Sequence, residues 1–253
     1  MLEEYIRQRL TEKEILLMTH IVIGYPTLED SFDIVRSMVA GGVDLMELQI
    51  PFSEPIADGP VILAANQKSL AGGISVSACV DFAGEMARTF DIPFFFMSYF
   101  NILYKYGVDR FVATMAEKQL KGAIVPDLPP EEGRDYLQSM DRHNLSPIML
   151  FSPTTSKKRM DYIASHARGL IYCVARKGVT GQATRFSEEL DSYLAQCRQA
   201  TDLPLALGFG VKDKSDIDFL KGKVDIAVIG TRTIRLVDSD GVGAVEGFIR
   251  SLR

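Results

Sequence analysis

The sequence lacks the features of proteins that bind nucleic acid or span a membrane. Its 253 residues contain no block of basic residues and no alternation of Lys or Arg with aromatic residues, and the formal net charge is −5. Proteins that follow a phosphodiester backbone carry a basic patch or stripe. The apolar runs also fall short of the roughly 18 residues that cross a bilayer. We therefore expect neither nucleic acid nor a membrane as a partner.

Cysteines are few. Cys79, Cys173 and Cys197 are odd in number, widely spaced and outside any CxxC pattern. They predict neither a disulfide framework nor a zinc site. Residues 1–20 begin with acidic residues in a charged amphipathic pattern, whereas a secretory signal needs a basic start and a continuous apolar segment. The expected location is the reducing cytoplasm.

Histidines and suitably placed lysines are also scarce. His20 lies in an apolar run, whereas His143 and His166 fall near the ends of predicted helices. Because the three do not converge, no metal site is expected. A lysine that forms a Schiff base is expected on a strand, where loss of solvation lowers its pKa. Lys177 follows such a run rather than lying within it, which disfavours an amine-dependent aldolase.

Eight short apolar runs rich in β-branched and aromatic residues recur along the chain. Most of them are nearly continuous in apolar character, as strands buried on both faces of a parallel sheet require. The predicted strands are residues 16–24, 43–50, 92–99, 122–127, 146–152, 169–176, 203–210 and 224–230.

Segments with helical spacing separate these strands, for example at 30–42, 107–122, 131–144, 157–169 and 186–200. Neither a Ser/Gly/Pro-rich linker nor a shift in composition interrupts the alternation. Eight βα units in one chain favour a single (β/α)8 TIM barrel over residues 1–253 rather than a doubly wound open sheet.

Two additional helices are expected. One spans residues 3–14, before the first strand, and is predicted to cover the bottom of the barrel. The other lies in the stretch VILAANQKSLAGG, which makes the second βα connection unusually long. Long connections in a compact domain are usually functional.

In such a barrel the chemistry takes place at the carboxyl ends of the strands. Glu47 lies inside the apolar run LMELQI, so burial would raise its pKa and suit it to acid–base work; a structural carboxylate tied to a buried Arg is the alternative. Asp58 in ADGP is by itself typical of a solvated turn. Glu54, between Ser53 and Pro55, is typical of a loop surface.

Three glycine-bearing loops follow the last three strands: KGVTG at 177–181, GFG at 208–210 and IGTRT at 229–233. Glycines allow backbone N–H groups to approach anionic oxygens closely. The three loops together indicate a phosphorylated ligand.

Four other residues at strand ends are candidates for a supporting role. Tyr99, Asn101 and Tyr172 could donate hydrogen bonds to a ligand, although aromatic residues there often serve packing. Asp127 could orient its neighbours or cap the helix that follows it.

Six stretches, in this order, closely resemble the tryptophan synthase alpha chain family. The most specific is ELQIPFSEPIADGP, and the matching stretches cover nearly the whole chain. They are residues 47–60, 97–107, 125–132, 175–181, 207–211 and 229–234. The resemblance implies a (β/α)8 barrel that cleaves indole-3-glycerol phosphate to indole and glyceraldehyde 3-phosphate by a retro-aldol reaction, without a cofactor in this chain.

The resemblance also implies roles for individual residues. Glu47 and Asp58 match the family's catalytic pair, and Thr180 matches a mobile loop that closes over the substrate. Tyr99, Asn101 and Asp127 would support the site. The residues implied to bind substrate are Tyr172, Thr180, Gly181, Phe209, Gly210, Gly230 and Thr231.

A partner is implied as well. The family works with a beta chain that holds pyridoxal phosphate and receives indole, in an alpha2-beta2 heterotetramer. The residues implied to contact the beta chain are Pro51, Ser53, Glu54 and Pro55.

Some positions depart from the family pattern. Gln49 stands where the family has glycine, and Arg232 and Lys212 lie in the phosphate loops. If Gln49 crowds the site, Gln49→Gly raises turnover. An alternative function is therefore a catalytically weakened alpha chain that mainly activates its beta partner. Other phosphate-binding barrels, such as a ribulose-phosphate epimerase or an isomerase of histidine biosynthesis, do not share the motif at 47–60.

Overall fold

Eight parallel strands close into a barrel. The computed structural model describes residues 1–174, 188–208 and 210–253. Each strand pairs with the next one along the chain, and the last pairs with the first, which confirms the predicted (β/α)8 fold. The strands are β1 Leu16–Val22, β2 Leu45–Gln49, β3 Phe94–Met97, β4 Gly122–Ile124, β5 Ser146–Phe151, β6 Ile171–Val174, β7 Leu205–Gly208 and β8 Ile226–Ile229.

Helices surround the barrel in the described residues. They are α1 Leu2–Leu10, α2 Leu28–Ala40, α3 Pro60–Ala71, α4 Val76–Thr89, α5 Phe100–Tyr106, α6 Val108–Glu117, α7 Arg134–Arg142, α8 Lys157–Ala164, α9 Glu188–Ala200, α10 Lys214–Leu220, α11 Thr231–Asp240 and α12 Val245–Ser251. The helix α5 is only seven residues long. Because a helix this short shows barely two turns of periodicity, its pattern is weak.

The first helix covers the bottom of the barrel, as predicted. Leu2 and Ile6 of α1 are buried and pack against side chains of the barrel interior, including Leu16, Leu45 and Leu170. The apolar face of α1 thereby closes the amino-terminal end of the barrel, which leaves the opposite end for a site.

Alternation along β2 determines which side chains enter the barrel. Met46 and Leu48 pack outward into the layer between the sheet and the helices, whereas Leu45 packs inward. Successive strand residues point to opposite faces. Glu47 and Gln49 therefore share the inward side with Leu45, and they lie at the carboxyl end of the strand.

The long second connection is anchored to α3. Asn66 of α3 is fully buried, and its Oδ1 accepts a hydrogen bond of 2.9 Å from the backbone N–H of Phe52. Its Nδ2 donates to the carbonyl of Ile62 at 2.8 Å. The predicted extra helix therefore holds the segment 51–59 over the end of β2.

Two further findings concern the described part of the chain. No helix there is long and apolar enough to cross a membrane. The cysteines Cys79, Cys173 and Cys197 are buried as free thiols.

Candidate active site at the barrel mouth

A cavity of about 570 Å³ opens at the carboxyl ends of the strands. Residues from opposite sides of the barrel meet on its wall. The residues expected from the sequence that line it are Glu47, Asp58, Tyr172, Gly210, Gly230 and Thr231. Thr180, Gly181 and Phe209 lie outside the described residues.

Glu47 lies on the cavity wall with its carboxylate buried. Only 3% of the residue is exposed, and its Oε1 is 3.2 Å from Nδ1 of His20. The two residues are direct neighbours in the β1–β2 pairing. The partner of this carboxylate is therefore an imidazole rather than the buried Arg of the alternative interpretation.

His20 is a residue of the site that sequence reasoning missed. Its ring is buried, and it also lines the cavity. Burial lowers the pKa of His20. The hydrogen bond and the charge of Glu47 raise it, and the net shift is upward. The sequence placed His20 and Glu47 on neighbouring predicted strands, but their contact depends on the register between β1 and β2, which the sequence does not show.

Asp58 faces the same cavity and is buried, which excludes the interpretation as a solvated turn residue. Its Oδ2 accepts a hydrogen bond of 2.6 Å from Nε2 of Gln49. Burial raises the pKa of Asp58, against the opposing effects of the Gln49 hydrogen bond, the His20 charge and a hydrogen bond from Tyr99. Among these causes, burial is the largest, and the carboxyl is a weaker acid than an ordinary Asp.

Gln49 lies next to the site but not on the cavity wall. It is fully buried and is not among the residues that line the cavity. Its amide points toward Asp58 and toward Asn66 Oδ1, which is 3.4 Å away. The expectation that Gln49 crowds the substrate space does not fit this placement. The side chain instead connects the end of β2 to the loop that carries Asp58.

Tyr99 supports the same loop. Its hydroxyl accepts a hydrogen bond of 3.1 Å from the backbone N–H of Ala57, and its ring stacks on Phe52 with 5.2 Å between centroids. Burial raises the pKa of Tyr99 well above its usual value, so that its phenol stays protonated. Tyr99 therefore holds the backbone next to Asp58.

Asp127 contacts the start of α5, and Asn101 is a residue of α5. The carboxylate of Asp127 accepts hydrogen bonds of 2.9 and 3.1 Å from the N–H of Phe100, the first residue of α5. It therefore caps a helix that precedes it in sequence, not the one that follows. Asn101 is exposed on α5 and is not among the residues that line the cavity.

Tyr172 forms the wall opposite the carboxylates. Burial, followed by the charges of Glu47 and Asp58, raises its pKa well above the usual value. The ring lies directly over Gly208 of β7, where an added Cβ would come within 2.4 Å of the Tyr172 ring. The glycine therefore makes room for the aromatic wall.

One end of the cavity is formed by the start of α11. Gly230 precedes this ten-residue helix and Thr231 is its first residue. Free N–H groups and the helix dipole at such an end favour an anion. Cationic side chains border the same end of the cavity: Lys212, Arg232 and Arg235. The Arg232 guanidinium also lies 5.4 Å from the ring centre of Phe248 in α12.

The segment expected to contact a partner is only partly accessible. Ser53 and Glu54 are exposed, whereas Pro51 and Pro55 are buried within this chain. Next to them, Ile56 is 71% exposed, which is unusual for an isoleucine.

A closed eight-stranded barrel with buried carboxylates at its mouth defines a (β/α)8-barrel enzyme. Residues 6–249 match the family model of the tryptophan synthase alpha chain. The chain therefore belongs to the tryptophan synthase alpha chain family, whose members are lyases, and the resemblance drawn from the sequence is confirmed.

Individual relatives agree with this assignment. The chain is 65% identical to the tryptophan synthase alpha chain of Desulforapulum autotrophicum and 62% identical to that of Syntrophotalea carbinolica, with 100% of each chain covered in both cases. Its structure is similar to the crystal structure of tryptophan synthase subunit alpha from Legionella pneumophila, with a TM-score of 0.90 and 30% identity over 99% of this chain and 96% of that one. The alternative of a weakened, mainly activating chain is not favoured.

Proposed function

We propose that this chain cleaves indole-3-glycerol phosphate to indole and glyceraldehyde 3-phosphate in the last steps of tryptophan biosynthesis, with Glu47 and Asp58 as the acid–base pair. The observation that carries the proposal is the placement of two buried carboxylates on one cavity that the start of α11 also lines. The substrate has an indole ring at one end and a phosphate at the other, which matches the polarity of the cavity.

The reaction requires proton transfers at three positions of the substrate: C3 of the indole ring, the ring nitrogen and a glycerol hydroxyl. Glu47 donates a proton to C3 of the indole ring, and the ring becomes an indolenine. Glu47 then removes the proton of the glycerol hydroxyl next to the bond that breaks; an aldehyde forms and the bonding electrons return to the ring. Asp58 stabilises the positive charge that develops on the ring nitrogen, accepts the N–H proton and returns it to the nitrogen when the bonding electrons enter the ring.

The rest of the cavity suits the two ends of the substrate. The indole would lie against Tyr172 and the apolar side chains of Met97 and Leu150, which line the same wall. The phosphate would accept hydrogen bonds from the N–H groups around Gly230 and Thr231, because a helix amino terminus favours an anion. Gly210 borders this end as well, and Thr180, Gly181 and Phe209 are assigned to substrate by resemblance.

A beta chain is the proposed recipient of indole, in an alpha2-beta2 assembly, and the pyridoxal phosphate would belong to that partner. The support is a set of exposed side chains on two segments, the loop after β2 and α5. Ser53 and Glu54 are exposed on the loop after β2, together with the apolar side chains of Ile56 and, on α5, Tyr104, which is 72% exposed. Large exposed apolar side chains grouped with polar ones are typical of a protein interface.

Two further assignments belong with this function. We infer a reducing compartment such as the cytoplasm, because the three cysteines are free thiols. We also infer that residues 1–253 form one domain, since β1 pairs with β8 and α12 packs against α2, which joins the two ends of the chain.

Indole release from indole-3-glycerol phosphate, with and without purified beta chain, tests the proposal. We expect turnover in both cases and its loss in Glu47→Gln, because the amide cannot deliver a proton to carbon. The control is Glu117→Gln, the same change on an exposed residue of α6, which should leave turnover unchanged. No indole release by the unaltered chain even with the beta chain present, alongside a stimulated beta reaction, would instead support the activating function.

A further inference from the structure

Two polar side chains, His20 and Gln49, lie between the two carboxylates of the site. Glu47 Oε1 is 3.2 Å from His20 Nδ1, and Gln49 Nε2 is 2.6 Å from Asp58 Oδ2. All four residues are at least nine-tenths buried. Each carboxylate therefore contacts one of these two polar side chains.

The two neighbours have complementary unpaired atoms. His20 Nε2 and Gln49 Oε1 are buried without a hydrogen-bond partner among the described residues. An imidazole N–H donates and an amide oxygen accepts. A buried polar atom without a partner is costly, so each has reason to pair with the other.

The strand register brings these two side chains together. His20 lies opposite Glu47 and Val22 lies opposite Gln49 in the β1–β2 pairing. His20 and Gln49 are therefore diagonal neighbours on the inward side of the barrel. The Gln49 side chain is also among the groups that raise the pKa of His20, which agrees with their proximity.

We propose that His20 and Gln49 connect Glu47 to Asp58 through one row of hydrogen bonds, in which His20 shares a proton with Glu47 and Gln49 orients Asp58. His20 and Gln49 are thus positioning residues for the reaction. The inference rests on the proposed function of the two carboxylates.

The row of hydrogen bonds explains how Glu47 and His20 keep their protonation and how Asp58 keeps its orientation during turnover. The proton shared between Glu47 Oε1 and His20 Nδ1 is the one that Glu47 delivers to carbon, and the hydroxyl proton that Glu47 then takes up restores it. Throughout, the Nε2–H of His20 donates to Gln49 Oε1, and this fixes the amide with its Nε2–H groups toward Asp58. The proton lost to carbon is replaced by the one from the glycerol hydroxyl, so no further reactant is required.

Other ionisable groups share the cavity wall with His20. Asp58 faces it from the loop after β2, and its negative charge raises the pKa of His20. In the described residues, the remaining ionisable side chains on that wall are Tyr172 of β6, Lys212 and Asp213 after β7, and Arg232 and Arg235 of α11. The positive charges of Lys212, Arg232 and Arg235 oppose protonation of His20. The contact with Glu47 must outweigh them for the proton to remain shared.

Titration of the His20 ring by nitrogen-15 NMR tests the row without any turnover. The chain has three histidines, and the His20 signals are those lost in His20→Gln. In the full chain without substrate we expect a midpoint above the usual histidine value. Glu47→Gln should move that midpoint to lower pH, because the raising contact is removed while burial remains. Gln49→Leu should move it in the same direction by a smaller amount.

The control is His143→Gln. His143 directly follows the last residue of α7 and is not among the residues that line the cavity, so this change should leave the His20 midpoint in place. A His20 midpoint that is the same in Glu47→Gln and in the unaltered chain would overturn the shared proton. A midpoint unaffected by Gln49→Leu would remove Gln49 from the row. Both outcomes are independent of indole release, so failure of the row and failure of the proposed function are distinguishable.

Kinetics separate a positioning role from simple packing. His20→Gln keeps a hydrogen-bonding side chain but cannot share a proton, so we expect kcat to fall on the order of tenfold, with KM little changed and the pH profile of kcat shifted. A packing role alone would leave the shape of that profile unaltered. If the His20 variant does not fold, the Glu47→Gln titration still decides the proposal.

Discussion

Gln49 Nε2 donates a hydrogen bond of 2.6 Å to Asp58 Oδ2, across nine positions of sequence. The same nitrogen lies 3.4 Å from Asn66 Oδ1, and Asn66 also accepts from the N–H of Phe52. One amide thus joins a strand end, the loop above it and the helix that follows. The residue that departs from the family's glycine is the one that holds the proposed catalytic carboxylate in place.

Gln49→Gly should therefore lower turnover, contrary to the result expected if the side chain crowded the substrate. A hydrogen bond to a charged group contributes about 1.5–3 kcal/mol, so a loss of roughly tenfold or more in kcat/KM is expected. Steady-state indole release measures it. Gln49→Glu is a useful companion, because it keeps the size of the side chain but places a second carboxylate against Asp58. Faster turnover in Gln49→Gly would restore the crowding interpretation.

Asp58→Asn should abolish most of the turnover and yet stabilise the chain near neutral pH. Burial raises the pKa of Asp58 above the usual 3.8, so the protonated carboxyl is favoured in the folded state. Its contribution to stability is fully present below the unfolded pKa and is lost as the pH rises through the folded pKa. Asn carries no charge at any pH and does not suffer this loss.

Urea denaturation of Asp58→Asn and of the unaltered chain at several pH values measures the difference. The gain in stability should be largest near neutral pH and should shrink as the pH falls toward 3.8.

The raised pKa of Asp58 also affects activity, since Asp58 must be ionised to accept a proton. Gln49→Leu removes a cause that lowers the pKa of Asp58, so the acid limb of kcat should move to higher pH in that variant. An acid limb that stays in place would contradict the proposed role of the amide.

The sequence predicted the barrel and part of the site, because both depend on local patterns. Eight continuous apolar runs determine the strands, and the alternation along LMELQ places Glu47 inward. The contacts of the site are not local. The His20–Glu47 pair depends on the register between β1 and β2. Asp127 caps α5 rather than the helix after it, because the loop after β4 contacts the start of α5. A single sequence shows neither register nor loop path.

Gly208→Ala should disturb the aromatic wall of the site. The added Cβ would lie 2.4 Å from the Tyr172 ring, closer than atoms can approach, so the ring or the strand must move. Overpacking of this kind costs about 1–3 kcal/mol. We expect a lower denaturation midpoint and a raised KM for indole-3-glycerol phosphate. The control is Gly247→Ala in α12, where a Cβ meets nothing within 4 Å; equal effects of the two changes would show that the contact with Tyr172 is unimportant.

Asp44→Asn should destabilise the barrel without affecting kcat, because Asp44 lies at the end opposite the cavity. It is 1% exposed and accepts hydrogen bonds from Leu17 N–H at 2.9 Å and from Lys13 Nζ at 2.5 Å. Arg253 also pairs with it, which ties the carboxyl-terminal residue to the bottom of β2. Removing one partner of a buried ion pair costs about 3–5 kcal/mol.

Chemical denaturation at neutral pH measures the effect of Asp44→Asn, with Asp218→Asn as the matched control. Asp218 pairs with Lys214 at 3.0 Å and with Lys221 at 3.2 Å, but its side chain is 47% exposed. Solvent screens such a surface pair, so its loss should cost less than about 1 kcal/mol. If the two variants lose the same stability, the charges around Asp44 contribute no more than those of an ordinary surface pair, and the bottom of the barrel is held by α1 and its apolar contacts instead.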